Sequence, residues 1–320
     1  MQTIKPAVVA HCDWGKDQKK RWMSVAIRRG GNWHIGMPEL VGDTRFLFDG
    51  LRGRSESDGP VFLGFDFPIG LPLAYGKLTK LGSFKDALHA FGKGSWGEWY
   101  NVAENAGEID IRRPFYPMRP GGTKRHHLYD ALGVSDGETL LRLCDRATPD
   151  RQAACCLFWT LGGNQVGKGA ITGWREIIVP NLGQLGLWPF DGTLAGLFRE
   201  KEIVVAETYP GDVYGQLGIP RTPPWSKRKQ AGRRDVSPYI LDWFVSRPTE
   251  ASQDLLADIR TGFGEGSAGE DPFDALIGLL GMLDVVDERR AEGAPNLPQI
   301  GTWEGWIIGQ EATYQHRSPR

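Results

Sequence analysis

Cysteine is scarce in this chain, four in 320 residues. Two of them, Cys155 and Cys156, are adjacent, and the spacings form neither a disulfide framework nor a zinc site. The pair His126-His127 has no third zinc ligand at usable spacing. No apolar run approaches the roughly 18 residues that a membrane-spanning helix needs. The opening Met1-Gln2-Thr3-Ile4-Lys5-Pro6 lacks the basic-then-apolar order of a signal peptide. A soluble protein in a reducing, cytoplasmic setting is therefore expected, with no membrane partner. An excess of one charge is missing too. The formal net charge is −1, so no whole-molecule field draws in nucleic acid or anionic lipid, and any such binding falls to local patches. Internal repeats and low-complexity tracts are absent, and the length suffices for a large core without disulfides or structural metal.

What the chain does have is a succession of short apolar runs. Strands are expected over residues 7–13, 22–28, 31–36 and 61–66, with a short helix over 42–52. The short links 14–21 and 29–31 suit antiparallel hairpins, and the helical segment before residue 61 suits a crossover. The first and fourth strands are then candidates for parallel neighbours in an α/β sheet. Residues 75–149 mix glycine, aromatic and charged residues with only brief periodicity. They read as an inserted, helical and loop-rich cap within a single domain spanning 1–320. Helices are expected near 150–160, 172–179, 193–200, 211–217, 235–247, 252–260 and 272–289, a strand over 202–207, and a final strand or hairpin over 301–309.

Carboxylates stand at the ends of these runs. Asp13 ends Ala7-Val8-Val9-Ala10-His11-Cys12, Asp66 ends Val61-Phe62-Leu63-Gly64-Phe65, and Glu207 ends Ile203-Val204-Val205-Ala206. Asp271 and Asp274 open the apolar helix Phe273-Asp274-Ala275-Leu276-Ile277, three apart and so on one face of its first turn. Each has a plainer role open to it. Asp66, before Phe67-Pro68-Ile69-Gly70, suits a turn, and Asp271, before Pro272, suits an N-cap. A second aspartate one turn into an apolar helix has no capping role, which tilts Asp274 toward function. Converging carboxylates repel, so they take up protons or recruit cations. Hard oxygen ligands without a cysteine or histidine motif point to Mg²⁺ or Mn²⁺.

Two further features bear on substrate. Gly162-Gly163-Asn164-Gln165-Val166-Gly167-Lys168-Gly169 fits a phosphate loop through its lysine, but Gly169 stands where a hydroxyl should bind Mg²⁺. Asn164, Gln165, Lys168 and Thr172 still offer donors to a phosphate backbone. The densest basic run holds Arg221, Lys227, Arg228, Lys229, Arg233 and Arg234 around Trp225, and Lys16, Lys19, Lys20 and Arg21 follow Asp13. Such runs are most often solvated faces. Trp14 and Trp225 are the candidate base-stacking tryptophans.

Several segments together resemble one family: Asp13-Trp14-Gly15, Asp66-Phe67-Pro68-Ile69-Gly70-Leu71-Pro72, Gly163-Asn164-Gln165-Val166-Gly167-Lys168 leading to Gly173-Trp174-Arg175, Trp188-Pro189-Phe190-Asp191-Gly192, Glu207-Thr208-Tyr209-Pro210, and Asp271-Pro272-Phe273-Asp274-Ala275-Leu276. They look like the predicted ribonuclease H-like nucleases grouped as a domain of unknown function, and the resemblance covers almost the whole chain. It implies a ribonuclease H-like mixed sheet with flanking helices. Its first-strand Asp, fourth-strand acid and last-helix Asp would bind divalent metal, and these roles fall on Asp13, Asp66 and Asp274, with Glu207 and Asp271 as further candidates. The expectation is a nuclease acting on DNA or RNA by a two-metal mechanism, with Lys16 and Lys168 on the scissile phosphate and Arg228, Lys229, Arg233 and Arg234 on the flanking backbone. The alternatives are a nucleotide-handling phosphotransferase of actin-like or P-loop type, and a non-catalytic module of the same fold.

Overall fold

The computed structural model describes residues 4–147, 152–162 and 166–312. Asn164 and Gln165 lie outside the described residues. The strands are β1 (Val8–Asp13), β2 (Trp22–Arg29), β3 (Asn32–Ile35), β4 (Glu39–Leu40), β5 (Val61–Phe65), β6 (Leu185–Leu187), β7 (Ile203–Glu207) and β8 (Thr249–Ala251). The helices are α1 (Leu47–Arg52), α2 (Leu73–Thr79), α3 (Phe84–Ala90), α4 (His126–Leu132), α5 (Val166–Gly173), α6 (Val179–Asn181), α7 (Leu194–Glu200), α8 (Pro210–Gln216), α9 (Gln230–Asp235), α10 (Ser237–Val245), α11 (Gln253–Thr261) and α12 (Glu270–Val286). None of them is long and apolar enough to cross a membrane. The chain groups into two compact units, one of Met1–Phe67 with Lys168–Arg290, the other of Pro68–Gly167 with Ala291–Arg320.

The first unit is α/β. Its mixed sheet runs β6-β7-β5-β1-β2-β3-β8, with β4 on β2. β1, β2 and β3 pair antiparallel, and β5 is parallel to both β1 and β7. The expected parallel pairing of the first and fourth long strands is thus present. Three short strands were not expected from the sequence, β4, β6 and β8, each of two or three residues and too short to carry an alternation.

Helix α12 packs on β1, β2 and β5 with α8 beside it. It is buried from Pro272 to Val286, so it reads as continuous apolar sequence. Close approach rests on missing side chains. A Cβ at Gly278 would overlap the His11 ring, one at Gly281 would meet Val213, and one at Gly64 would meet Met282. The far end of α12 is pinned by buried Asp284, which accepts from Trp243 Nε1 at 3.1 Å and from Arg247 Nε and Nη2 at 2.9 and 3.0 Å. Helix α5 continues through a π-helical turn, Trp174–Ile178, into α6. Pro180 has no N–H to continue an α ladder, and the wider turn lies just before it.

The second unit contains α2, α3 and α4 and encloses the segment 75–149 expected as a cap. Tyr75 is its buried centre. Its hydroxyl donates to Ile111 O at 2.5 Å and accepts from Trp99 Nε1 at 2.6 Å, while Trp99 stacks on Phe91 at 3.7 Å. The expected final strand over 301–309 is instead a π-helical turn, Ile300–Glu304. Glu304 accepts from the Leu73 and Leu143 backbone N–H groups at 3.2 and 2.9 Å, so tertiary hydrogen bonds override the local pattern. Nor is the expected helix near 150–160 formed among the described residues. Residues 152–156 are irregular, and Trp159 makes only an isolated bridge to Tyr116.

Gly278→Ala is expected to destabilise the protein by about 1–3 kcal/mol, as overpacking of a filled core does. Urea unfolding measures this, and a variant as stable as the parent would show that α12 can lift off β1.

Candidate functional site

Strand alternation assembles the site. In register, Cys12, Phe65 and Glu207 stand side by side across β1, β5 and β7, so their side chains share one face. His11 and Gly64 lie on the other face, toward α12, where His11 Nδ1 donates to Ala275 O at 3.0 Å. Asp13 and Asp66, each two residues further along its strand, emerge on that same face at the C-terminal ends of β1 and β5. Glu207 belongs to the opposite face, with Phe65. It is buried, and the register separates it from Asp66 although the two are neighbours along the sheet edge.

Asp13 and Asp66 lie within hydrogen-bonding reach of one another, an interaction that raises Asp13 and lowers Asp66. Both residues are half-buried. Burial first, then the charges of Asp66, Asp274 and Asp271, hold Asp13 well above the ordinary carboxylate range. Asp66 is pushed up to about 6 by burial, against the opposing pull of the Trp14 backbone N–H, which donates to Oδ1 at 2.7 Å, and of Asp13. Buried Asp274, in the first turn of α12, closes the cluster. Burial raises it, and the Lys227 ammonium and the Tyr214 hydroxyl oppose that rise. Asp271, half-buried, is raised by burial and by Glu270 and Asp274, and lowered by Lys20 and Lys227.

Both oxygens of Asp274 are engaged. Tyr214 donates to Oδ1, and Lys227 Nζ donates to Oδ2 while also lying 3.2 Å from Glu270 Oε1. Burial works against the Lys227 charge, but Asp274, with Glu270 and Asp13, holds the ammonium above the usual lysine range. Trp225 packs edge-on against Tyr214, ring centroids 5.1 Å apart, and against Phe273 at 6.1 Å. Lys227, Tyr214 and Glu270 were not singled out from sequence. Lys227 lay inside the basic run, but no spacing couples residue 227 to residue 274.

The basic candidates separate. Lys168, on α5, is half-buried, and burial together with the Lys16 charge keeps it below the usual lysine range, which brings these two cations near one another. Arg228, Lys229 and Arg234 are exposed. Arg233 must be corrected. It is 1% exposed, and its guanidinium donates to the carbonyls of Gly262, Gly264, Gly266 and Lys227, so it ties the backbone at Lys227 to the loop before α12 and has no free face for a phosphate. Trp14 is likewise not a stacking platform. The Arg21 guanidinium lies 3.9 Å over its ring, Phe65 and Phe67 meet it edge-on, and Arg21 is itself fixed by Glu176 of the π-helical turn at 2.5 and 3.2 Å.

Among the described residues, no group of three or more His, Cys, Asp or Glu side chains is arranged to hold a metal ion. The donor chemistry of the Asp13–Asp66 pair nevertheless fits a hard divalent cation: two neighbouring carboxylates, both raised by burial, that an added positive charge would relieve. Asp274 is the weaker ligand in this arrangement, because Tyr214 and Lys227 already draw on both its oxygens and the Lys227 ammonium repels an incoming cation. The chain matches no family model, no curated protein and no solved structure.

Since Asp66 has a folded pKa of about 6 against an ordinary 3.8, its contribution to stability is complete below about pH 3.8 and disappears as pH rises through 6. Without divalent cation the parent should lose on the order of 3 kcal/mol relative to Asp66→Asn between about pH 4 and pH 7, at about 1.4 kcal/mol per pKa unit. Urea unfolding of both proteins in chelator across that range measures the difference. A difference that is flat with pH, or of opposite sign, would contradict the assignment.

Proposed function

We propose that this protein is a ribonuclease H-like, metal-dependent hydrolase of nucleic-acid phosphodiester bonds. The observation that carries the reading is the Asp13–Asp66 contact at the ends of two parallel neighbouring strands, with Asp271 and Asp274 adding negative charge from the start of α12. Antiparallel β1, β2 and β3, the short β4 on β2, then α1 and a β5 parallel to β1 are compatible with this reading of the fold.

In this reading Asp13 and Asp66 would hold Mg²⁺ or Mn²⁺, which when bound would supply Lewis acidity toward phosphate and water. The protein's own groups do the rest. The Trp14 N–H fixes the orientation of Asp66, and Lys16 and Lys168 offer cations for a phosphate near the acids. Exposed Arg228, Lys229 and Arg234 offer sequence-independent contacts to the flanking backbone. Among the described residues, 152–162 upstream of Lys168 form no strand beyond an isolated bridge at Trp159, which weighs against the P-loop alternative.

The test is cleavage of labelled single- and double-stranded DNA and RNA with Mg²⁺ or Mn²⁺. Outer partners of metal ligands are worth roughly 10–100-fold in metal affinity, so Asp13→Asn, which alters a ligand itself, should lower cleavage by more than about 10²-fold. Failure of the parent to cleave any of these substrates would favour the non-catalytic alternative.

A further inference from the structure

The acid cluster contains a cation of its own. Lys227 reaches Asp274 from the surface, its side chain 40% exposed against 4% for the aspartate, and it also lies 3.2 Å from Glu270. This placement is built into the fold. The fully buried Arg233 donates to the Lys227 carbonyl and, through its other nitrogens, to Gly262, Gly264 and Gly266 at 2.8, 2.9 and 3.0 Å. Tyr214, packed against Trp225, takes the remaining oxygen of Asp274. The ammonium held between Asp274 and Glu270, close enough to feel the charge of Asp13, already neutralises the carboxylate that a second divalent ion would need. A divalent ion on that carboxylate would sit against the ammonium, and the repulsion between the two cations would work to displace Lys227.

We infer that the site takes a single divalent ion, at Asp13 and Asp66, and that Lys227 is the permanent second positive charge, paired with Asp274. The inference rests on the cation-binding reading above and narrows it. The two-metal arrangement expected from sequence gives way to one ion plus one lysine. Asp274 becomes a positioning residue for Lys227, and Arg233 holds the backbone that carries it. A fixed ammonium beside the ion is suited to a phosphate oxygen, because it supplies charge without requiring a second ion to bind.

The experiment counts bound Mn²⁺ on the metal-free full chain, without nucleic acid, by calorimetric titration and by the loss of the free-ion electron paramagnetic resonance signal. The parent should bind one ion. Asp13→Asn should bind none, and Asp274→Asn should still bind one. Lys227→Met should gain a second site, and the double variant Lys227→Met/Asp274→Asn should lose it again. Two ions on the parent, or loss of an ion in Asp274→Asn, would overturn the inference while leaving the cation-binding reading intact. No ion on the parent would overturn both. Should Lys227→Met fail to fold, the parent and Asp274→Asn counts decide the question without it.

Discussion

The mutual repulsion of Asp13 and Asp66 is the constraint around which the first unit is organised. Two unit charges about 4 Å apart repel by about 4 kcal/mol at an effective dielectric near 20, and the sheet leaves the pair little room to separate. Each ends one of two adjacent parallel strands, and alternation sends both to the face covered by α12. The protein answers with hydrogen bonding between the two carboxyls, a backbone N–H on Asp66, and a lysine on the third acid. Each answer is partial. A site that holds a proton at pH values where carboxylates are normally ionised is one that a divalent cation can relieve.

The surroundings make that conflict durable. Helix α12 cannot drift away from β1, because its glycines seat it on the His11 ring and Asp284 locks its far end to Trp243 and Arg247. On the opposite face Trp14 is held by Arg21, Phe65, Phe67 and a hydrogen bond from its Nε1 to Thr172 at 3.1 Å. The N–H that orients Asp66 therefore belongs to one of the better fixed residues near the site. Arg233 does the same for the Lys227 backbone. Preorganised charge of this kind acts without rearrangement at the moment it is needed.

Much of this arrangement was legible in the sequence. Apolar runs ended by Asp13 and Asp66, hairpin-length links and a helix before residue 61 were enough to place two acids on neighbouring parallel strands. The spacing of Asp271 and Asp274 marked the start of α12. Other features were not legible because they depend on contacts distant in sequence. Glu207 has the same local signature as Asp66, and only the register shows it on the other face. Arg233 and Arg228 look alike within one basic run, yet one is buried under four carbonyls and the other is exposed. The pairing of Lys227 and Tyr214 with Asp274 spans 47 and 60 residues and leaves no periodic trace. The segment 301–309 misled for a related reason. Its alternation suits a strand, but the carboxylate of Glu304 is claimed by Leu73 and Leu143.

The most direct measurement is a carbon-13 nuclear magnetic resonance titration of the Asp13 and Asp66 carboxyl groups, with and without Mg²⁺. In the metal-free protein the two carboxyls should titrate as a coupled pair, both above the ordinary aspartate value of 3.8 and one near pH 6. Mg²⁺ should move both titrations to below the ordinary value, since a bound cation favours the ionised form. Titration of both groups near 3.8 in the metal-free protein, or curves that Mg²⁺ leaves in place, would contradict the account.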